Sequence, residues 1–284
     1  MFSMTNTNEF EGMNVVKHQI PNGDVQPFRR PHYRTPYTLS HEIQKQVQDI
    51  LDKGIIRERQ SSFSAPAILV PRKGLDSKRK YRFYLDVRAL NAVTKFDPYP
   101  LPTFKETAST LHGSKYFTVL DCYSGVSQVS IKEEHKERTG FTVPSGHYEF
   151  NCLPFGLSNS PSNFEMLMDA VLKILVGTEF RMFIDDVIMF SNTAEKHALR
   201  LENVLQRFDE ANLQLHPGKI VFAQPQVQYL GYVLSERGIS ASPDKVKAVR
   251  EYPAPKSVKD VSSSLGLASF YRRLVQNFAE AAKP

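Results

Sequence analysis

From Phe180 to Phe190 the chain reads Phe-Arg-Met-Phe-Ile-Asp-Asp-Val-Ile-Met-Phe: two short apolar runs, Phe180 to Ile184 and Val187 to Phe190, broken by Asp185 and Asp186. Apolar runs of this length separated by two polar residues predict a tight hairpin with acids at its tip. Upstream, Lys115 to Leu120 reads as a buried strand that delivers Asp121 at its end. An Asp-Asp pair alone is an ordinary turn signal. Set between two strongly apolar runs, with a second acid ending another strand, it asks for a chemical reason. If the strands are neighbours in one sheet, the carboxylates cluster and their repulsion needs cations. Two Mg²⁺ ions suit such oxygen ligands, with Mn²⁺ as the alternative, and together can activate a hydroxyl and stabilise a leaving pyrophosphate. That chemistry is nucleotidyl transfer.

The rest of the composition bounds this reading. The 284 residues, 41% hydrophobic, suffice for one large domain or two or three small subdomains. No run approaches the roughly 18 apolar residues of a membrane span, and the opening residues lack the basic start and apolar block of a secretory signal. The expectation is an intracellular protein, cytoplasmic in a virus-like particle or nuclear, with no membrane partner. Cys122 and Cys152 have neither zinc-site spacing nor disulfide density and read as two reduced, partly buried thiols. A net charge of +6, with 12 Tyr and 19 Phe, suits a surface that meets polyanions.

Along the chain, residues 1–38 are polar and aperiodic, an extended arm or partly disordered lead-in. Ser40 followed by Glu42, Ile43, Val47, Ile50 and Leu51 predicts a capped helix closing at Gly54. Ala67 to Val70 and Tyr81 to Val87 read as strands joined by a basic loop, with Arg72, Lys73, Lys78, Arg79, Lys80 and Arg82 crowded around it. Such a tip either reaches phosphates or is merely solvated. A short helix is predicted at Phe104 to Leu111, strands at Val126 to Ile131, Gly140 to Val143 and His147 to Cys152, and a helix from Ser160 to Leu175. A helix over Ala194 to Ala211, a hairpin region from Ile220 to Leu234, a helix opened by Ser242-Pro243 and running to Arg250, and a last helix from Val258 to Phe278 complete the pattern.

Several further motifs stand in fixed order around the acids. SSFSAPAILVPRKG, YRFYLDVRALNAVTKFDPYPLP, FTVLDCYSGVSQVSI, TGFTVPSGHYEFNCLPFGLSNSPSNFEMLMDAVL, FIDDVIMFS and VQYLGYVLSERGI follow one another from Ser61 to Ile239. In order and spacing they resemble the reverse transcriptase of gypsy-type long-terminal-repeat retrotransposons, a segment of a Pol polyprotein. The resemblance implies an α+β right-hand polymerase of fingers, palm and truncated thumb, with an antiparallel palm sheet carrying helices on one face. Residues 1–38 would be the arm, 39–113 mainly fingers, 114–235 mainly palm with some fingers and the primer-grip hairpin, and 236–284 the start of a thumb. The reverse transcriptase domain proper would span about 66–235.

The same resemblance implies roles residue by residue. Asp121, Asp185 and Asp186 match the catalytic metal ligands. Arg82, with Arg72 or Lys73, matches the cations on the incoming triphosphate, and Phe155 and Gly156 line the nucleotide pocket, with Asn159 and Pro161 following. Tyr229, Leu230, Gly231 and Tyr232 match the primer grip. The partners implied are a primed RNA or DNA template and a deoxynucleoside triphosphate. Departures carry expectations too. Val126 stands where an aromatic residue usually excludes a ribose 2′-hydroxyl, so ribonucleotides should be excluded less strictly. Phe183 stands where Tyr is commoner, and Ser127 and Arg200 where histidines are usual. With no RNase H, integrase or protease region in the sequence, the chain resembles a fragment or truncated reading frame. Two rival readings stay open: an inert remnant that binds nucleic acid without turnover, and another two-metal phosphotransferase or nuclease.

Overall fold

A computed structural model describes the chain apart from residues 1–12, 14–16, 24, 73–79, 101–109, 112, 124, 173–179, 184–185 and 284. Its strands, in chain order, are β1 (Ile56–Glu58), β2 (Ala65–Arg72), β3 (Lys80–Leu85), β4 (Tyr116–Asp121), β5 (Phe141–Val143), β6 (Gly146–Phe150), β7 (Phe180–Phe183), β8 (Asp186–Ser191), β9 (Val221–Gln224), β10 (Gln226–Tyr229), β11 (Tyr232–Ser235) and β12 (Gly238–Ala241). Its helices are α1 (Tyr37–Asp52), α2 (Arg88–Val93), α3 (Glu133–Lys136), α4 (Ser160–Leu172), α5 (Ala194–Glu210), α6 (Pro243–Arg250), α7 (Val258–Ser269) and α8 (Phe278–Ala281). Three sheets organise them: five strands in the order β1-β6-β5-β2-β3, four in the order β7-β8-β4-β9, and three in the order β10-β11-β12. Among the described strands, β2 and β5 form the one parallel pairing.

The four-stranded sheet is the keel, because both of its faces are covered. Strand alternation sends Leu120, Val187 and Met189 to one face, where they join Phe164, Leu167 and Met168 of α4 and Val204 and Phe208 of α5 in the larger core. Phe117, Val119, Ile188 and Phe190 alternate to the other face and pack on Val227, Tyr229, Tyr232 and Leu234 of β10 and β11, together with Tyr271. Helices therefore cover one face and a small sheet covers the other. Each fully buried aromatic or aliphatic side chain contributes about 1.5–3 kcal/mol relative to exposure, which makes this double-faced sheet the most strongly determined part of the molecule.

Most of the predicted helices and strands that fall on described residues recur with shifted ends, and four assignments of local structure need correction. Helix α1 begins at Tyr37 behind Pro36, whose φ of −54° ends the extended arm; no side chain caps it, and Ser40 lies inside the helix. Gly54 closes it as expected, at φ +67°. Val126 to Ile131 is not a strand but a 3-10 turn over Gly125–Gln128 followed by single bridges at Ser130 and Ile131. The reason is Gln128, whose amide donates to the Tyr123 and Gln214 carbonyls (2.8 and 3.0 Å) and accepts from Gln214 N–H (2.6 Å), replacing a ladder with a side chain. The region from Ile220 to Leu234 is not one hairpin, since β9 pairs with β4 while β10 pairs with β11, which pairs in turn with the unforeseen β12. The last helix breaks after Ser269, where Phe270 and Tyr271 turn their rings onto Tyr232 at 5.5 and 5.3 Å.

The described residues of the arm before Tyr37 form no helix and no ladder strand, only isolated bridges at His18 and Arg29. Met13 and Ile20 are buried, Met13 N–H donates to the Gln128 carbonyl (2.9 Å), and His18 bridges Ile131. The helix expected at Phe104 to Leu111 falls almost wholly outside the described residues. Cys122 and Cys152 are fully rather than partly buried and form no disulfide, and burial pushes the Cys152 thiol up to about 12. No helix among the described residues is long and apolar enough to cross a membrane.

Candidate active site

Asp121 ends β4 and Asp186 opens β8, and the antiparallel register makes them direct cross-strand partners. Opposed Cβ atoms in such a pair lie about 4.5–5.5 Å apart, so two carboxylates share one end of the sheet. Strand β7 pairs Phe183 with Asp186, so only residues 184–185 separate the two strands of the hairpin. Asp185 therefore belongs to that junction by sequence but lies outside the described residues. Burial is the first cause that pushes the Asp186 carboxyl above its usual range, followed by the charge of Asp121, with Lys219 opposing. A carboxylate held at such a disadvantage is one that a cation would relieve.

A cation of the chain's own reaches the pair. After α5 the backbone returns beside β4: Cys122 bridges Leu215, and His216 N–H donates to the Asp121 carbonyl at 2.8 Å. The 3-10 turn Pro217–Lys219 then aims Lys219 Nζ at both Asp121 carboxylate oxygens, 2.9 Å from each. The lysine is more than half exposed, so the pair is worth no more than about 1 kcal/mol and can be exchanged readily.

The hairpin between β10 and β11 meets the same site from the other face. Leu230 and Gly231 form its two-residue loop with φ of +49° and +83°, the twist that a hairpin turn with two left-handed positions requires. Glycine adopts this freely and leucine does not, so the surroundings must hold Leu230 there. Tyr229 is buried, its hydroxyl donates to the Asp186 carbonyl at 3.0 Å, and burial drives that hydroxyl strongly upward in pKa. Tyr271 Oη and Ser242 N–H both donate to the Gly231 carbonyl (3.0 and 3.1 Å).

A second group of expected residues gathers at the β2–β3 hairpin. Arg82, on β3, points a guanidinium nitrogen at Tyr84 Oη (3.4 Å), and Tyr84 meets the exposed Phe155 ring edge-on at 6.4 Å. Gly156 takes φ +97°, and an added Cβ would meet Val87 at 3.2 Å. Its carbonyl accepts from Asn91 Nδ2 (2.8 Å), while Asn91 Oδ1 accepts from Ser158 N–H (2.9 Å). Asn159 holds the next segment, donating to the Lys95 carbonyl and accepting from Asp97 N–H. Arg72 ends β2 opposite Lys80; Lys73 lies outside the described residues. Val126 is buried on its 3-10 turn.

Against known proteins, the family model described as reverse transcriptase (RNA-dependent DNA polymerase) matches residues 70–234, more than half of the chain. The chain belongs to the reverse transcriptase family. It is 38% identical over 277 residues to the retrovirus-related Pol polyprotein from transposon opus of Drosophila melanogaster, covering 96% of this chain and 28% of that protein. It is 37% identical over 285 residues to the corresponding polyprotein from transposon gypsy of the same organism, covering 99% of this chain and 28% of that one. The chain thus spans little more than a quarter of these curated relatives. The structure of the foamy viral protease-reverse transcriptase in complex with double-stranded DNA superposes with a TM-score of 0.85 at 25% identity, covering 96% of this chain and 47% of that one. The same viral protein in complex with an RNA/DNA hybrid gives 0.81 at 24% identity, covering 94% and 35%. The α+β polymerase fold and the gypsy-type kinship expected from the motifs are thereby borne out.

Reverse transcriptases generally use divalent metal ions, and the donor set fits that need: two opposed carboxylates, one of them disfavoured as an anion. Among the described residues no cluster of three potential ligands forms, the third expected acid being Asp185. Lys219, Asn91 and Tyr84 escaped the reading of the sequence. Lys219 carries no local signal, because it meets Asp121 only through the return of the chain after α5. Asn91 sits in the quoted motif YRFYLDVRALNAV, yet its task depends on a loop far along the chain.

Proposed function

We propose that this chain is an RNA-directed DNA polymerase domain that adds deoxynucleotides to a primer paired with an RNA or DNA template. The observation that carries the proposal is the facing of Asp121 and Asp186 across antiparallel strands, with Asp185 in the two-residue junction beside them. On this reading the four-stranded sheet and the helices over it form the palm, the five-stranded sheet most of the fingers, β10 and β11 the primer grip, and the segment from β12 onward the start of a thumb. The complexes of the foamy viral relative with double-stranded DNA and with an RNA/DNA hybrid support a primed template as the partner. An intracellular setting, in a cytoplasmic particle or the nucleus, accompanies that role.

The primer 3′-hydroxyl oxygen would attack the α-phosphorus of the nucleotide, forming one P–O bond as the bond to pyrophosphate breaks and the hydroxyl proton leaves. Asp121, Asp185 and Asp186 would hold two Mg²⁺ ions, which when bound supply charge neutralisation and lower the pKa of the attacking hydroxyl. Arg82, with Arg72 or Lys73, would face the triphosphate oxygens as a charge-assisted donor. Phe155 and Gly156 would bound the nucleotide, with Asn91 fixing the turn that carries them. Val126 would stand near the sugar and discriminate against ribose weakly. Tyr229 to Tyr232 would seat the primer end, since the Tyr229 hydroxyl ties that hairpin to the backbone of Asp186.

Primer extension on an RNA template with Mg²⁺ tests the reading, comparing the chain with its Asp185→Asn/Asp186→Asn variant. Extension that vanishes in the variant supports a polymerase domain. A chain that binds primed template yet extends nothing, like its variant, overturns the activity and leaves binding without turnover.

A further inference from the structure

Strand β9 lies on β4 with an irregular offset. Phe117 faces Gln224 while Val119 faces Val221, so β9 carries one extra residue over that interval, and Ala223 within it adopts φ +43°. An alanine in the left-handed region persists only where neighbours over-determine it. The neighbour here is Thr118, whose Oγ1 accepts the Ala223 N–H at 2.9 Å.

Thr118 is the near end of a buried chain of hydrogen bonds whose direction can be worked out. Ser191 Oγ donates to the Thr193 carbonyl (3.0 Å), so it meets His197 Nδ1 (3.0 Å) as an acceptor and the proton lies on Nδ1. His197 Nε2 is then an acceptor, and Thr118 Oγ1 donates to it at 2.7 Å. Thr118, Ser191 and His197 are all buried. Each of the four bonds from the Ala223 amide through Thr118, His197 and Ser191 to the Thr193 carbonyl then has one donor and one acceptor when the imidazole is neutral. Burial and the neighbouring Arg200 charge both favour the neutral ring.

This chain joins helix α5 and strands β4, β8 and β9. Lys219 is separated from β9 by Ile220 alone and is therefore held on two sides: the His216 amide fixes it at Asp121, and the offset of β9 fixes it at residues 117–119. We propose that His197 is a positioning residue, which as its Nδ1–H tautomer locks the β9 offset through Thr118 and so sets Lys219 over Asp121. The proposal rests on the polymerase reading only for its catalytic consequence.

Four readouts on the full chain test it. The ¹⁵N resonances of His197 at pH 7 should report a neutral Nδ1–H imidazole; an imidazolium or an Nε2–H tautomer overturns the proposal without any variant. Thr118→Val removes both hydrogen bonds at constant shape, and Thr118→Ser restores them. In the Val variant the Ala223 amide should exchange at least about fivefold faster, and the Lys219 ¹³Cε resonance should shift; the Ser variant should resemble wild type. Primer extension should fall roughly ten- to a hundredfold in kcat in the Val variant with KM for nucleotide unchanged, as expected for a small misplacement. Unchanged exchange, Lys219 resonance and kcat in a folded Val variant, or equal losses in Val and Ser, would sink the idea. A wild-type chain that extends no primer refutes the polymerase reading instead, while the tautomer, exchange and lysine readouts still decide the relay.

Discussion

The sheet that carries the acids and the helices that follow β12 are built on opposite terms. Phe117, Leu120, Val187, Ile188 and Met189 are fully buried, with apolar partners on both faces of the sheet. Helices α6, α7 and α8 contain no buried residue, and Val258, Leu265, Phe270 and Val275 are exposed. Between them lies a cavity of about 700 Å³ lined by residues such as Ile239, Val249, Leu265, Tyr271 and Phe278. Local stability follows the burial of apolar contacts, so the carboxylate pair rides on the least deformable part of the chain and the C-terminal helices on the most deformable. Chemistry that needs charges held within fractions of an ångström belongs on the former.

The largest effect should come where rigidity and charge coincide. Asp121→Asn should abolish primer extension by about a thousandfold or more, since several kcal/mol of charge stabilisation disappears, while the circular dichroism spectrum stays unchanged. Next, Leu120→Ala should cost about 2–5 kcal/mol in denaturant unfolding, the usual range for a fully buried leucine. Leu265→Ala, on the C-terminal side, should stay within about 0.5 kcal/mol. Equal losses at the two leucines would erase the contrast. Asp186→Asn offers a subtler sign. Its carboxyl is raised in the folded state, so its ionised form carries a penalty above the folded pKa that is relieved as pH falls through that value, opposite to the usual aspartate. Removing the charge should therefore raise the unfolding midpoint at neutral pH by a few degrees while activity is lost; a lowered midpoint would mean Asp186 is structural.

The same contrast explains what could be read from the sequence. The apolar runs Lys115 to Leu120 and Val187 to Phe190 announced buried strands, and the acids at the ends of those runs announced the candidate site, because both signals are local. The β9 offset, Lys219 over Asp121 and Asn91 on the Gly156 turn depend on segments that meet only after folding. The strand expected from Val126 to Ile131 failed for a related reason. Its apolar spacing fits a strand, but the Gln128 amide supplies to Tyr123 and Gln214 the bonds that a neighbouring strand would have made. In the C-terminal stretch the periodicity of Val258 to Phe278 is genuinely helical, and the break at Phe270 comes from rings drawn to Tyr232.

Tyr271 is the bolt between the two regions and gives the smallest and most specific test. It is the one buried residue among the described residues beyond α7, and its hydroxyl donates to the Gly231 carbonyl at the tip of the hairpin whose Tyr229 bonds Asp186. Tyr271→Phe removes that bond, but the Gly231 carbonyl keeps the Ser242 amide, so no acceptor is orphaned. The ring contacts with Phe270 and Tyr232 also survive. The cost should therefore sit at the low end for a hydrogen bond, about 0.5–1 kcal/mol. Hydrogen exchange should rise at Gly231 and along α7 while the Leu120 and Val187 amides stay protected. Because the bond ties the C-terminal helices to the hairpin without touching the carboxylates, KM for the primed template should rise while single-turnover chemistry stays near wild type. Exchange that rises across β4 and β8 as well would mean the two regions unfold as one unit, and the division drawn between them would not hold.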